Sequence, residues 1–237
     1  MELFEHNYFY FLLLALSISF PLLRSFEDKL SYYKKWSALF QAIFIMMLVH
    51  IQIDIVFTKL QIWSFNNDYV SGLYLFKLPI EEWLFFIVIP FCCVFIYESI
   101  NYFFTIQKAS RLNYITSVLT GIVLIVLSLV YYNKTYTSTY FSLSGIILVL
   151  NYLYKPFWWK KFQIMFLFSL IPFFIVNGFL TGSFTENAVV LYDDQQNLGI
   201  RILNIPMEDI FYCFNILVLV VVVYEYRLSK ILSVKQN

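Results

Sequence analysis

Seven apolar runs divide the chain, at about 8–23, 37–57, 82–104, 113–131, 139–154, 162–180 and 208–226. Each approaches the roughly 20 residues that a helix needs to cross about 30 Å of hydrocarbon. Polar and turn-forming residues separate the runs, so the pattern predicts an all-α, polytopic membrane protein with about seven transmembrane helices. The loop charges agree with that count. The N-terminus and even-numbered loops carry Lys59, Lys77, Lys134 and Arg201, whereas the odd-numbered loops and C-terminal tail carry the other twelve of the 16 basic residues. Lys and Arg gather on the cytoplasmic side of short loops, which predicts a cell (inner) membrane protein with its N-terminus outside and its C-terminus cytoplasmic.

A second periodicity is much longer. At an offset of 127 residues Gly72 falls on Gly199, Pro79 on Pro206, Glu81 on Glu208, Glu82 on Asp209, Tyr97 on Tyr224 and Glu98 on Glu225. His50 and Asp54 fall on Asn177 and Thr181, and the basic turn at Lys34 and Lys35 falls near Lys160 and Lys161. The expected organisation is a single membrane domain made of a first repeat (1–105), a linker helix (106–135) and a second repeat (136–237). Corresponding helices lie four spans apart, so the repeats share one orientation about an axis along the membrane normal.

Composition narrows the class. With 61% hydrophobic, 22% aromatic and 13% charged residues the chain lies outside the range of soluble domains. A net charge of +1 offers no basic surface to nucleic acid. Cys92, Cys93 and Cys213 fall within predicted spans and have no metal-ligand spacing. Glu2 and Glu5 occupy the flank where a signal peptide would be basic, and the first helix is expected to remain in the mature chain.

Candidate chemistry lies in the doubled motif. LPIEE (78–82) and IPMED (205–209) each open an apolar helix that closes on Tyr-Glu. Proline in the first turn followed by acids is an ordinary helix start, because proline has no N–H to orphan and carboxylates complement the dipole. Two adjacent acids exceed what a cap needs, and ionisable groups near hydrocarbon are costly. Adjacent helical residues point about 100° apart, so one acid of each pair can face the bundle interior. Tyr212 and Asn215 follow on the Glu208 face, and Phe85, Val88 and Cys92 follow on the Glu81 face. Burial and a neighbouring carboxylate favour a protonated acid, whereas the helix N-terminus favours the anion. An acid so placed can protonate an alkene, and the faces of Phe85, Tyr212, Trp63 or Trp83 can stabilise the resulting cation. His50 and Asp54 can pair to orient a catalytic acid, a role their counterparts Asn177 and Thr181 cannot share as proton relays, and the whole set, Asn177 included as a substrate-side candidate, can equally bond between helices. Glu98, Glu225 and Arg201 are second-tier candidates, and Asp193 and Asp194 read as a solvated loop.

LPIEEWLFFIVIP in the first half, with PFFIVNGFLTG, GIRILNIPMEDIFYCF and VYE in the second, resembles the integral-membrane lycopene cyclases, which occur as heterodimers or as fused chains. The resemblance covers nearly the whole chain, although the segment from His50 to Asp54 matches more loosely. It implies cyclisation of the linear ends of lycopene or a related carotene, usually to β-type rings, with Glu81, Glu82, Glu208 and Asp209 as the acids. It also implies a long apolar carotenoid substrate in the bilayer, contact with membrane lipid and association with other carotenoid enzymes. No cofactor is evident, since the Gly-x-Gly-x-x-Gly turn of the flavin-dependent cyclases is missing from the sequence.

Two rivals belong to other classes. A small-solute transporter with three-one-three parallel repeats predicts a polar midplane cavity and helices broken there. A membrane prenyltransferase predicts spaced Asp clusters that hold magnesium and diphosphate, a spacing neither doublet has. A retinal-binding receptor is excluded because the last apolar run lacks lysine.

Overall fold

The computed structural model describes residues 7–236. The acidic flank at Glu2 and Glu5 lies outside the described residues. Seven α-helices follow in order: α1 (Phe9–Arg24), α2 (Trp36–Lys59), α3 (Ile80–Phe103), α4 (Arg111–Val130), α5 (Thr135–Tyr154), α6 (Trp159–Leu180) and α7 (Glu208–Gln236). Among the described residues, α2, α3, α4, α6 and α7 are long and apolar enough to cross a membrane. The remaining two expected spans fall short: α1 has 16 residues, and α5 opens on the hydroxyl-rich run TYTSTYFS.

The fold is mostly helical, as expected, and among the described residues the loops add short strands. Six short strands form three two-stranded ribbons at the end of the bundle that carries the acidic motifs. Strands β2 (Tyr74–Leu75) and β3 (Leu78–Pro79) make one hairpin, and β5 (Arg201–Ile202) and β6 (Ile205–Pro206) make another. The two hairpins coincide at the 127-residue offset, and each follows a glycine at positive φ, Gly72 at 78° and Gly199 at 72°, where a side chain would be disfavoured. Strands this short, set among polar residues, leave no alternation to detect. Pro79 then ends its strand in an extended conformation and opens α3, with Glu81 and Glu82 in the first turn, where carboxylates complement the helix dipole.

The third ribbon joins the two halves. Strand β1 (Trp63–Phe65) pairs antiparallel with its own counterpart β4 (Val190–Tyr192), and Ser64 lies opposite Leu191, the residue 127 positions later. The same reciprocity recurs at the far end of the bundle. There the Tyr97 hydroxyl donates to Glu225, and the Tyr224 hydroxyl donates to Glu98 at 3.1 Å. Helix packing crosses in the same way, α2 lying against α7 and α3 against α6, while α1 packs on α3 and α5 on α7. Buried Glu98 pairs with half-buried Lys35 and with buried Lys161, whose ammonium stands 3.5 Å from the centre of the Tyr97 ring. These contacts complete a partly buried ionic cluster, in which the deeply placed Glu98 and Lys161 have each other as partners.

Helix α4 packs on α5 through glycines. A Cβ on Gly145 would stand 2.7 Å from the Gly121 carbonyl oxygen, and one on Gly121 would stand 2.8 Å from that of Gly145. Small residues of this kind let apolar helices approach closely.

Candidate active site

Within each doublet the two acids do different work. The Glu81 carboxylate accepts the Ser71 backbone N–H at 2.7 Å, and the Glu208 carboxylate accepts that of Leu198 at 2.8 Å, the equivalent bond at the 127-residue offset. Glu208 also accepts the Thr137 hydroxyl at 2.5 Å. Both side chains are 0% exposed and tie the loop before the helix to its first turn. Neither lines the cavity described next.

Glu82 and Asp209 line one shared cavity of about 30 Å³, together with Asp54. All three carboxyl groups are buried, with Glu82 the most exposed at 7%. Their surroundings differ. Glu82 accepts one hydrogen bond, from the Tyr10 hydroxyl at 2.8 Å. Asp209 accepts three: from Tyr136 at 2.5 Å, Tyr192 at 2.9 Å and Asn177 at 3.0 Å. Tyr10 and Tyr136 are counterparts, because the Tyr10 amide donates to Tyr69 and the Tyr136 amide to Gln196, 127 residues beyond Tyr69. The other two donors have no equivalent, since the matching positions hold Phe65 and His50. Burial pushes the Tyr192 phenol well above its ordinary value, so it stays protonated and remains a donor. Hydrogen bonds to a carboxylate favour its anionic form, and Asp209 has three of them to the one on Glu82.

The wall between the acids is aromatic. Trp63, Phe85, Tyr136, Tyr192 and Tyr212 all line the cavity. The Trp63 ring centre lies 5.3 Å from that of Tyr136 and 6.1 Å from those of Tyr192 and Tyr212. Such faces stabilise positive charge when water is excluded.

Phe85 and Tyr212, expected under two separate acids, therefore meet in one cavity. The Tyr212 hydroxyl donates to Asp54 at 3.2 Å, and the other Asp54 oxygen, though buried, has no partner. His50 is buried edge-on to the Tyr212 ring, with centroids 6.3 Å apart, and its Nδ1 has no partner. Asn177 bonds directly to Asp209. Trp83 lies apart from the cavity, its indole N–H donating to the Leu75 carbonyl at 3.3 Å. Asn215 joins α7 to α5, donating to the Ser144 hydroxyl at 2.8 Å. Arg201 pairs with Asp194 at 2.5 Å and lies 5.8 Å from the centre of the Tyr192 ring. Glu98 and Glu225 belong to the ionic cluster at the opposite end.

Sequence reasoning missed Tyr10, Tyr136 and Tyr192. Tyrosine is abundant here, with 19 copies, and at an offset of 127 Tyr10 falls on Thr137 rather than on Tyr136. Allowing the register to slip by one residue ahead of α5 would have revealed the pair.

A shared acid cavity enclosed by two copies of one motif makes the comparison with known proteins informative. The family model for lycopene cyclase matches residues 7–100 and 133–227. The chain belongs to the lycopene cyclase family. Both matched regions contain an acidic doublet, and α4 lies between them. No curated protein and no solved structure matches the chain. Membership supports a carotenoid cyclase role, and five apolar helices of spanning length fit a multi-pass membrane protein that holds a lipophilic substrate.

Proposed function

We propose that the chain is a lycopene cyclase that closes the linear ends of lycopene or a related carotene to β-type rings by acid-base chemistry at one centre. One observation carries the reading: Glu82 and Asp209 line the same buried aromatic cavity and differ in hydrogen bonding as an acid and a base must. Glu82, neutral, gives its proton to the terminal double bond. The tertiary cation is attacked by the neighbouring alkene, which forms the ring carbon–carbon bond and moves the positive charge into the ring. Asp209, anionic, removes a ring proton and leaves a double bond. Substrate and product are isomers, and no electrons are transferred. The cycle closes when the proton on Asp209 returns to Glu82, which shares its cavity.

In this reading Trp63, Phe85 and Tyr212 face the cation, Asp54 and His50 brace Tyr212, and Glu81 and Glu208 hold the loops that roof the cavity. The chain is two parallel three-helix repeats, 1–105 and 136–237, joined by the linker 106–135 and related by an axis along the membrane normal. The strand pairing about Ser64 and Leu191 and the crossed Tyr97–Glu225 and Tyr224–Glu98 bonds both support such an axis. The acid cavity then lies toward the outer face of the cell membrane, with the C-terminus cytoplasmic. A transporter would need a polar midplane and broken helices; here α3 and α6 run unbroken through Pro90 and Pro172, which favours the cyclase.

Expression in bacteria that accumulate lycopene tests the proposal. The pigment is expected to turn from red to orange-yellow, with ringed products on extraction. Unchanged lycopene alongside well-expressed, folded protein would refute it.

A further inference from the structure

Three hollows follow one another along α3, beginning with the acid cavity. Phe85, Asn177 and Tyr212 also line a second cavity of about 110 Å³, whose walls come from α1, α3, α6 and α7 and are almost wholly apolar. Ile96, at the far end of that cavity, also lines a third, open hollow of about 440 Å³. Helix α3 borders all three in sequence, with Glu82 and Phe85 on the first, Ile89 to Ile96 on the second, and Ile96 to Phe103 on the third. From Glu82 to Ile100, at 1.5 Å per residue, this path is about 27 Å long, close to the ~30 Å hydrocarbon thickness.

This row of hollows lies on one side of the acid site. On the other flank Asn215 and Ser144 hold α7 to α5, and the Phe141 and Phe211 rings meet at 4.8 Å. A cavity of about 300 Å³ there shares no lining residue with the acid site. The third cavity ends at a charged rim, where Arg24 pairs with Glu27 at 2.5 Å. That rim marks the place where an apolar ligand would run out of apolar wall.

The geometry points to the third cavity as the subsite for the unreacted end of the linear substrate, with Ile96 as the constriction through which that end passes. This rests on the cyclase reading and deepens it. With one acid centre and one row of hollows, the chain binds end-on and only one of its ends reacts per visit. A second ring requires release and re-binding in the reverse direction, with the first ring then seated among Phe95, Phe103 and Phe168. Shape and length, rather than polar contacts, select the occupant, because the second cavity offers little beyond Ser17, Ser169 and Asn177 to a polar chain.

The test places a Trp at the constriction. Purified wild-type and Ile96→Trp proteins in lipid vesicles are each given a full-length linear carotene, or a truncated polyene with the same terminal isoprene units and too short to reach Ile96. Turnover is measured per mole of folded protein. Ile96→Trp is expected to slow the full-length substrate by at least about tenfold, or about 1.4 kcal/mol of barrier, and to leave the truncated one near the wild-type rate. Ser99→Trp, on the wall of the third cavity, carries the same expectation and covers the case in which Ile96→Trp does not fold. Undiminished turnover of both substrates would overturn the subsite, as would equal loss on both, since the substitution would then act on the acid cavity. Wild-type protein inert on both substrates would instead remove the cyclase reading itself.

Discussion

Glu82→Gln removes the acidic hydrogen of the proposed donor and changes little else. The glutamine oxygen can still accept the Tyr10 hydroxyl that now lies 2.8 Å from the Glu82 carboxylate. Side-chain volume is nearly conserved, and the aromatic wall keeps its shape. What is lost is proton transfer, and a positioned general acid contributes about 10²–10⁴ in rate, or about 3–5 kcal/mol of barrier. Because the donor acid is neutral, its bond from Tyr10 keeps its character, and any rearrangement of that one hydrogen bond costs no more than about 1 kcal/mol of stability, too little to unfold the bundle. Glu81→Gln is the matched control. Its oxygen still accepts the Ser71 N–H, so about the same stability is lost while turnover stays within about threefold of wild type. The assay is the initial rate of ringed product from linear carotene, extracted and separated by chromatography, per mole of folded protein. Glu82→Gln retaining turnover within tenfold of wild type would refute the reasoning. So would Glu81→Gln proving as inactive as Glu82→Gln, since the doublet would then act as a unit.

The remaining predictions concern the base, the frame and the loops. Tyr192→Phe and Asn177→Leu each remove one donor from Asp209 and are expected to slow turnover about tenfold, from a loss of about 1–1.5 kcal/mol per bond. Equal rates in both variants and wild type would deny Asp209 its role as the anion. Glu98→Ala strands Lys161 in a buried site and is expected to cost about 3–5 kcal/mol, seen as a sharp loss of folded protein in detergent. Gly145→Ala forces a methyl against the Gly121 carbonyl; melting is expected at lower temperature, by about 1–3 kcal/mol, with turnover per folded molecule unchanged. Asp194 is held below the ordinary carboxylate range, first by its hydrogen bond with Arg201. Its contribution to stability is complete above the unfolded-state value and is lost as pH falls through the lowered one. Asp194→Asn is therefore expected to flatten the acid limb of a stability-against-pH curve, by no more than about 1 kcal/mol for so exposed a pair.

Most of the frame was legible in the sequence. Apolar runs near 20 residues located six helices to within a few positions, and the start of α7, which continues past its apolar run to Gln236, because backbone hydrogen bonding inside lipid leaves the helix as the available form for such runs. Matched Gly, Pro and acids revealed the repeat. The division of labour inside each doublet was not legible, because it depends on which helix face the loop before α3 or α7 folds onto. Nor was the meeting of Glu82 with Asp209, which are brought together by packing of α2 on α7 and α3 on α6 across the two halves. The strands were hidden by their length, and Trp63 lines the cavity while Trp83, chosen on the same grounds, lies apart from it. In so aromatic a chain a ring's identity says little until its neighbours are known.

The unequal clothing of the two matched carboxyl groups bears on the proposed chemistry. Two identical halves would surround both acids alike and give neither a standing preference for its role. The unlike pairs Phe65 and Tyr192, and His50 and Asn177, break that equivalence. In the proposed reading this is what lets one copy give a proton and the other receive it.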